Sequence, residues 1–123
     1  MSAPRVLLLV DHGSRRPEAR THLERTARQC EERLPGWSVR IAHLEIAFPS
    51  IEEALGGCAR DGAREVVVHP LFLAPGRHGA GDVPARVHRA AALHPDLEVR
   101  LTPALGESPD LADWILRTAG VCD

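Results

Sequence analysis

Two histidines in this sequence follow apolar, strand-like runs and lie among glycines. The run at 6–10 precedes His12, and the run at 66–73 precedes His78. Neutral imidazoles bind divalent transition metals and accept protons near neutral pH. A carboxylate, Glu45, comes at the end of a third strand-like run. Two imidazoles and one carboxylate leave coordination positions open, which suits transient handling of a metal better than a closed structural site.

Arginines flank both histidines. All 15 basic residues are Arg, and the sequence contains no Lys and no Tyr. The absence of Lys excludes a Walker A phosphate loop and Schiff-base chemistry. Arg15, Arg16 and Arg77, together with the free N–H groups at the start of nearby helices, predict an anionic ligand. A phosphate ester, a nucleotide and a polycarboxylate all remain open at this point.

The elements that must position these residues are parallel β-α-β units. Hydrophobic periodicity alternates between strand and helix, with predicted strands at 5–10, 38–46, 65–73 and 98–101. Right-handed crossovers favour a four-stranded parallel sheet of order 2-1-3-4 with helices on both faces. The carboxyl ends of strands 2, 1 and 3 are then neighbours. We therefore expect Glu45, His12 and His78 to line one edge of the sheet.

Four predicted helices connect and follow these strands. The first runs over 17–34, the second begins at the capping-box pattern around Ser50, the third runs over 83–93 after Asp82, and the last begins after Ser108. The residues expected to face the core are Leu23, Ala27, Cys30 and Leu34, then Ile51, Ala54, Leu55 and Cys58, then Val83, Val87 and Ala91, and finally Leu111, Trp114 and Ile115.

Length and composition limit the possible functions. The 123 residues predict a single domain over 1–123 with an ordered core at about 4–119. A net charge of −2 and four aromatic residues argue against nucleic-acid binding. The sequence has no apolar run of membrane-spanning length and no leader-like segment, and its three cysteines lack metal-site spacing. We therefore expect a cytoplasmic protein with reduced thiols that does not bind membranes.

Three segments resemble the signature segments of the short sirohydrochlorin chelatases, the single-domain class II chelatases of sirohaem and cobalamin biosynthesis. They are residues 10–16, residues 43–51, and residues 70–78 with the Asp-Val-Pro at 82–84. The resemblance covers about residues 5–105, in the order and spacing of the family. It implies a flavodoxin-like half-chelatase that forms a homodimer to complete a tetrapyrrole cleft.

The resemblance also implies a reaction and its residues. His12 and His78 occupy the positions of the family's active-site histidines, which handle both the metal and the pyrrole protons, and Glu45 occupies the position of its acidic residue. The substrates would be sirohydrochlorin and Fe²⁺ or Co²⁺, with nickel not excluded, and no tightly bound cofactor or iron–sulfur cluster is expected. The residues expected to contact the macrocycle are Ser14, Arg15, Gly76, Arg77 and Gly79.

Three positions depart from the family pattern. Arg20 stands where Asn is usual, Phe48 replaces a frequent acidic residue, and Gly79 replaces a bulkier residue after the histidine. These changes bear on pocket shape and metal preference.

Other interpretations of the same residues remain. Arg77-His78-Gly79 matches the core of the histidine-phosphatase signature, with His78 as nucleophile. A non-enzymatic metal or tetrapyrrole carrier would use the same cleft. Elsewhere, His43 and His69 are expected to be packed, structural side chains.

Overall fold

The computed structural model describes residues 4–74 and 82–121. Within these ranges, strands and helices alternate along the chain as the periodicity predicts. The elements are β1 (Arg5–Asp11), α1 (Pro17–Glu32), β2 (Trp37–His43), α2 (Ile51–Arg60), β3 (Glu65–Pro70), α3 (Val83–Ala92), β4 (Glu98–Leu101), a short 3-10 helix (Leu105–Glu107) and α4 (Leu111–Ala119).

The strands form one parallel sheet of order β2-β1-β3-β4. In the register, Arg5 of β1 lies opposite both Trp37 of β2 and Glu65 of β3, so the central strand is paired along both edges. This confirms the predicted strand order. It places the carboxyl ends of β2, β1 and β3 side by side, and a ligand site in an open parallel sheet lies at this edge.

Local sequence signals start two of the helices as predicted. Ser50 accepts a hydrogen bond from the amide of Glu53, and the Glu53 carboxylate accepts one from the amide of Ser50, which completes a capping box for α2. The Asp82 carboxylate accepts from the amide of Ala85 and caps α3. These caps satisfy amides that have no partner inside the helix.

The core lies on both faces of the sheet. On one face, α2 and α3 pack against β1 and β3, and on the other α1 packs against β1 and β2. The predicted α2 stripe is entirely buried. In α3 the buried residue of the last turn is Ala90 rather than Ala91. The first helix ends at Glu32 instead of residue 34, so Leu34 lies beyond α1, and both Cys30 and Leu34 are only half-buried.

The prediction for the last helix is wrong. Trp114 and Ile115 are 56% and 54% exposed, and α4 has no buried residue. The helix begins at Leu111 instead of Pro109, and within the described chain it packs chiefly against the preceding 3-10 helix. Its apolar residues therefore have no covering surface among residues 4–74 and 82–121.

Two strands end earlier than predicted, at His43 instead of residue 46 and at Pro70 instead of residue 73. The residues that follow each strand lie at the carboxyl edge of the sheet, where Leu44 and Leu71 still donate backbone hydrogen bonds to Asp11 and Val10 of β1. Across 4–74 and 82–121, no helix has the length and apolar character needed to cross a membrane.

Candidate functional site

His12 follows the last residue of β1 and is exposed at the carboxyl edge of the sheet. Its ring stacks on the buried ring of Phe72, with centroids 4.2 Å apart and planes inclined by 25°. Stacked aromatic rings hold each other at defined distances and angles. The imidazole therefore packs against the core through Phe72 and remains accessible to a ligand.

Glu45 lies beside His12, as predicted. The amide of Glu45 donates to the carbonyl of His12 at 3.1 Å, and the amide of Leu44 donates to the carbonyl of Asp11 at 2.8 Å. Gly13 permits this close approach, because a Cβ atom there would lie 1.8 Å from the carbonyl oxygen of Glu45. The β1–β2 pairing thus continues past the end of β2 and brings the backbones of His12 and Glu45 side by side.

Two arginines hold the loop that carries Glu45. Arg20 of α1 donates to the carbonyl of Phe48, and Arg86 of α3 donates to the carbonyl of Leu44. Arg20 is one of the departures from the family pattern, and here it fastens the site loop to α1. Charged donors make stronger hydrogen bonds than neutral ones, so both bonds restrain the loop.

Arg86 also forms a bidentate pair with Glu52 of α2. This hydrogen bonding lowers the pKa of Glu52 and raises the pKa of Arg86, to which the nearby Glu45 carboxylate also contributes. Arg86 is therefore a fixed positive charge that links α2, α3 and the Glu45 loop.

Exposed apolar side chains surround this edge. Ile46, Phe48 and Leu73 are 62%, 68% and 77% exposed, and all three follow the carboxyl ends of β2 and β3. Ile46 also has a backbone φ of +74°, which a β-branched residue adopts only under strain. Exposed apolar patches and strained backbone both occur preferentially at binding sites.

The residues that begin α1 offer polar groups to the same edge. Arg15 and Arg16 are exposed, and the Ser14 hydroxyl accepts a hydrogen bond from the amide of Arg16. This bond uses an acceptor site of the Ser14 oxygen, so its O–H remains available to donate.

The second half of the predicted site lies outside the described residues. Gly76, Arg77, His78 and Gly79 all belong to the segment 75–81. The structure therefore brings His12 and Glu45 together and does not test the convergence of His78 with them. Within 4–74 and 82–121, no three His, Cys, Asp or Glu side chains are grouped as metal ligands.

Two other histidines are packed, as expected. His43 is 2% exposed, and its Nδ1 lies 2.6 Å from Oδ1 of Asp11. His69 is half-buried with its Nδ1 2.7 Å from the Thr102 hydroxyl, and burial lowers its pKa.

Cys58 is a buried free thiol whose pKa is raised by desolvation.

Several residues of this edge were not singled out from the sequence. Phe72, Ile46, Leu73 and Arg86 were missed as site residues. For Ile46 and Leu73 the available signal was an apolar residue placed after a strand end; the support from Phe72 and the reach of Arg86 depend on tertiary packing. The assembled edge offers an imidazole, a carboxylate, cationic groups and a wide apolar surface, a combination suited to a large, flat, anionic ligand.

Known proteins that match this chain include CbiX proteins and sirohydrochlorin chelatases. The CbiX family model matches residues 6–120. A chloroplastic sirohydrochlorin ferrochelatase of Arabidopsis thaliana is 39% identical over 109 residues, which are 89% of this chain and 48% of the relative.

Solved structures share the fold. A putative cobalamin biosynthesis CbiX protein from Marinobacter aquaeolei VT8 is 32% identical with a TM-score of 0.79, and the match covers 95% of each chain. The sirohydrochlorin chelatase SirB from Bacillus subtilis subspecies spizizenii, in complex with cobalt, is 25% identical with a TM-score of 0.78. That match covers 98% of this chain and 50% of SirB. The chain thus spans about half the length of the plant and Bacillus relatives.

Proposed function

This chain belongs to the CbiX family, and from that premise we propose that it is a sirohydrochlorin chelatase. The reaction inserts Fe²⁺ or Co²⁺ into the macrocycle and releases the two pyrrole N–H protons. The observation that carries the proposal is the placement of His12, an accessible imidazole supported by Phe72, next to Glu45 at the carboxyl edge of the sheet.

The polar residues have distinct tasks in this proposal. His12 and His78 bind the incoming metal ion and accept pyrrole protons, and Glu45 supplies a further oxygen ligand or base. The metal is a substrate, so an open and transient ligand set serves the reaction better than a saturated one. No covalent intermediate is required.

The macrocycle has apolar faces and a carboxylate periphery. Ile46, Phe48 and Leu73 offer an apolar surface to its faces. Cationic and N–H donors bind its carboxylates, and the residues assigned to this task are Ser14, Arg15, Gly76, Arg77 and Gly79. Arg15 is exposed and has no ion pair within the described part of the chain, which leaves its guanidinium available.

A homodimer is part of this proposal, with α4 covered by a second copy of the chain. A nine-residue helix is marginally stable in water without packing, yet Trp114, Ile115 and Leu116 are all about half exposed. The match with the Marinobacter relative covers 95% of each chain, while this chain covers 50% of SirB, so two copies together have about the length of SirB. Closed twofold pairs are the commonest assembly.

We also place the protein in the cytoplasm. Cys58 is a buried free thiol and Cys30 is likewise unpaired. Reduced thiols are typical of this compartment.

The test is an absorbance assay with purified protein, sirohydrochlorin and each metal in turn. We expect the macrocycle spectrum to change to that of the metal complex with turnover, for Fe²⁺, Co²⁺ or both. Binding of sirohydrochlorin or the metal without turnover would instead indicate a non-enzymatic metal or tetrapyrrole carrier. The phosphatase alternative receives no support from the family match or the relatives described above. Release of phosphate from an ester, without any metal insertion, would support that alternative instead.

A further inference from the structure

Asp11 and His43 form a side-chain pair at the last register position of the β1–β2 ladder. Nδ1 of His43 lies 2.6 Å from Oδ1 of Asp11, and the two side chains are 2% and 24% exposed. At this distance the imidazole N–H donates to the carboxylate in a charge-assisted hydrogen bond. The pair is therefore a well-defined, mostly buried contact between the two strands.

Stability alone does not account for this pair. A buried polar pair is often no more stabilising than apolar residues of similar volume. Nε2 of His43 is buried and has no hydrogen-bond partner among the residues that the structure describes, which is unfavourable for a polar atom. The same face of β2 carries Val39 and Ile41 at the preceding alternate positions. An apolar residue at position 43 would continue this packing without the unpaired atom.

The pair adjoins the candidate site along both backbone stretches. Asp11 precedes His12, and Glu45 follows His43 by two residues. The backbone bonds from Leu44 to Asp11 and from Glu45 to His12 join the same two stretches. The side-chain bond therefore restrains the two backbone stretches that carry His12 and Glu45.

We propose that Asp11 and His43 are a positioning pair that fixes the backbone at His12, so that its imidazole stays on Phe72 and beside Glu45. Neither residue touches the substrate in this arrangement. A ligand side chain binds a metal well only when its orientation is held by its neighbours. The consequence for metal handling rests on the function proposed above, whereas the geometric claim about His12 does not.

Nuclear magnetic resonance of the His12 ring tests the geometric claim directly. A ring stacked on Phe72 experiences its ring current, so the carbon-bound His12 ring protons should resonate upfield of an exposed histidine in the wild-type protein. In His43→Leu, at the same pH, we expect these signals to move downfield. His43→Asn places an amide N–H near the position of Nδ1–H and should restore the wild-type shift in large part.

Two further variants complete the experiment. Asp11→Ala removes the same bond from the more exposed side and should move the His12 signals in the same direction, even if His43→Leu does not fold. Cys58→Ala makes a cavity in the last turn of α2, so it should lower the unfolding temperature and leave the His12 signals unchanged. Unchanged His12 signals in Asp11→Ala, or an equal movement in Cys58→Ala, would overturn the proposal.

Binding of Co²⁺ alone separates this inference from the proposed function. If His12 is a metal ligand, His43→Leu should weaken Co²⁺ binding by about tenfold, the lower range for loss of a supporting residue, and His43→Asn should recover most of it. A wild-type protein that neither binds Co²⁺ nor inserts it would contradict the proposed function, while the His12 signals would still decide whether the pair positions the ring.

Discussion

The backbone amide of Glu45 donates to the carbonyl oxygen of His12 at 3.1 Å, beyond the end of β2. This bond sets how closely the two candidate site residues approach each other. Gly13 makes it possible, since its φ is +97° and a Cβ atom would lie 1.8 Å from the Glu45 carbonyl oxygen. The close approach of the backbones that carry His12 and Glu45 therefore depends on a residue without a side chain.

Gly13→Ala should abolish most of the proposed activity. The added methyl group must push the Glu45 carbonyl away, and a displacement of about 1 Å at a reacting group can cost ~10²-fold in rate. The matched control is Gly62→Ala, where φ is +84° but no atom lies within 4 Å. Both variants should lose about 1–2 kcal/mol of stability from the left-handed conformation. Equal insertion rates in the two variants would show that the close approach at Gly13 is not needed.

The Glu52–Arg86 pair predicts a dependence of stability on pH. Arg86 lowers the pKa of Glu52 by hydrogen bonding, so this stabilisation is fully present above the unfolded-state pKa of Glu52 and is lost as the pH falls through the lower folded-state pKa. Thermal unfolding of the wild type and Glu52→Gln should differ at pH 7 and converge in acid.

Glu53→Gln is the control for that experiment. Its amide oxygen can still accept from Ser50 and keep the capping box, so its unfolding temperature should stay close to the wild-type value. A difference between Glu52→Gln and the wild type that persists unchanged below both pKa values would argue against the assigned cause.

Two variants of Ile46 distinguish the effect of backbone strain on stability from the effect of the side chain on substrate binding. The φ of Ile46 is +74° and its side chain is 62% exposed. Ile46→Gly should therefore be more stable to unfolding than Ile46→Ala, by about 1 kcal/mol. Both variants should raise the KM for sirohydrochlorin, since both remove the apolar side chain. Leu93→Ala, another exposed apolar position, should leave KM unchanged. A wild-type KM in both Ile46 variants would remove Ile46 from the binding surface.

The exposed face of α4 should control the oligomeric state. A charge buried at an apolar interface without a partner is strongly unfavourable, so Trp114→Glu should convert a dimer into monomers. Light scattering at micromolar concentration measures this directly. Leu93→Glu changes a residue that is more exposed, at 74%, and should remain dimeric. A monomeric wild-type protein would contradict the assembly, as would a Trp114→Glu dimer.

Much of the architecture follows from local patterns. The alternation of strand and helix, the caps at Ser50 and Asp82, and the right-handed crossover rule are sufficient to predict the sheet order and the edge shared by His12 and Glu45. These features depend on residues close in sequence or on general chirality.

Other features depend on contacts that no local pattern contains. The Asp11–His43 bond requires the register of two strands, and the bonds from Arg20 and Arg86 require the packing of two helices against one loop. The stripe of α4 was predicted to be buried because periodicity reports which face is apolar and does not report what covers it. The sequence was therefore sufficient to place His12 and Glu45 at one edge of the sheet, but not to identify the groups that hold them there.

The most direct test of the central claim is the rate of Fe²⁺ and Co²⁺ insertion into sirohydrochlorin by His12→Ala and His78→Ala. If the two histidines handle the metal and the pyrrole protons, each variant should be at least ~10²-fold slower than the wild type while remaining folded. The double variant should be less impaired than the product of the single effects. His69→Ala, which removes a half-buried ring and its contact to Thr102, should unfold at a lower temperature and keep most of its activity. Rates close to the wild type for both single variants, with both metals, would contradict the proposed site.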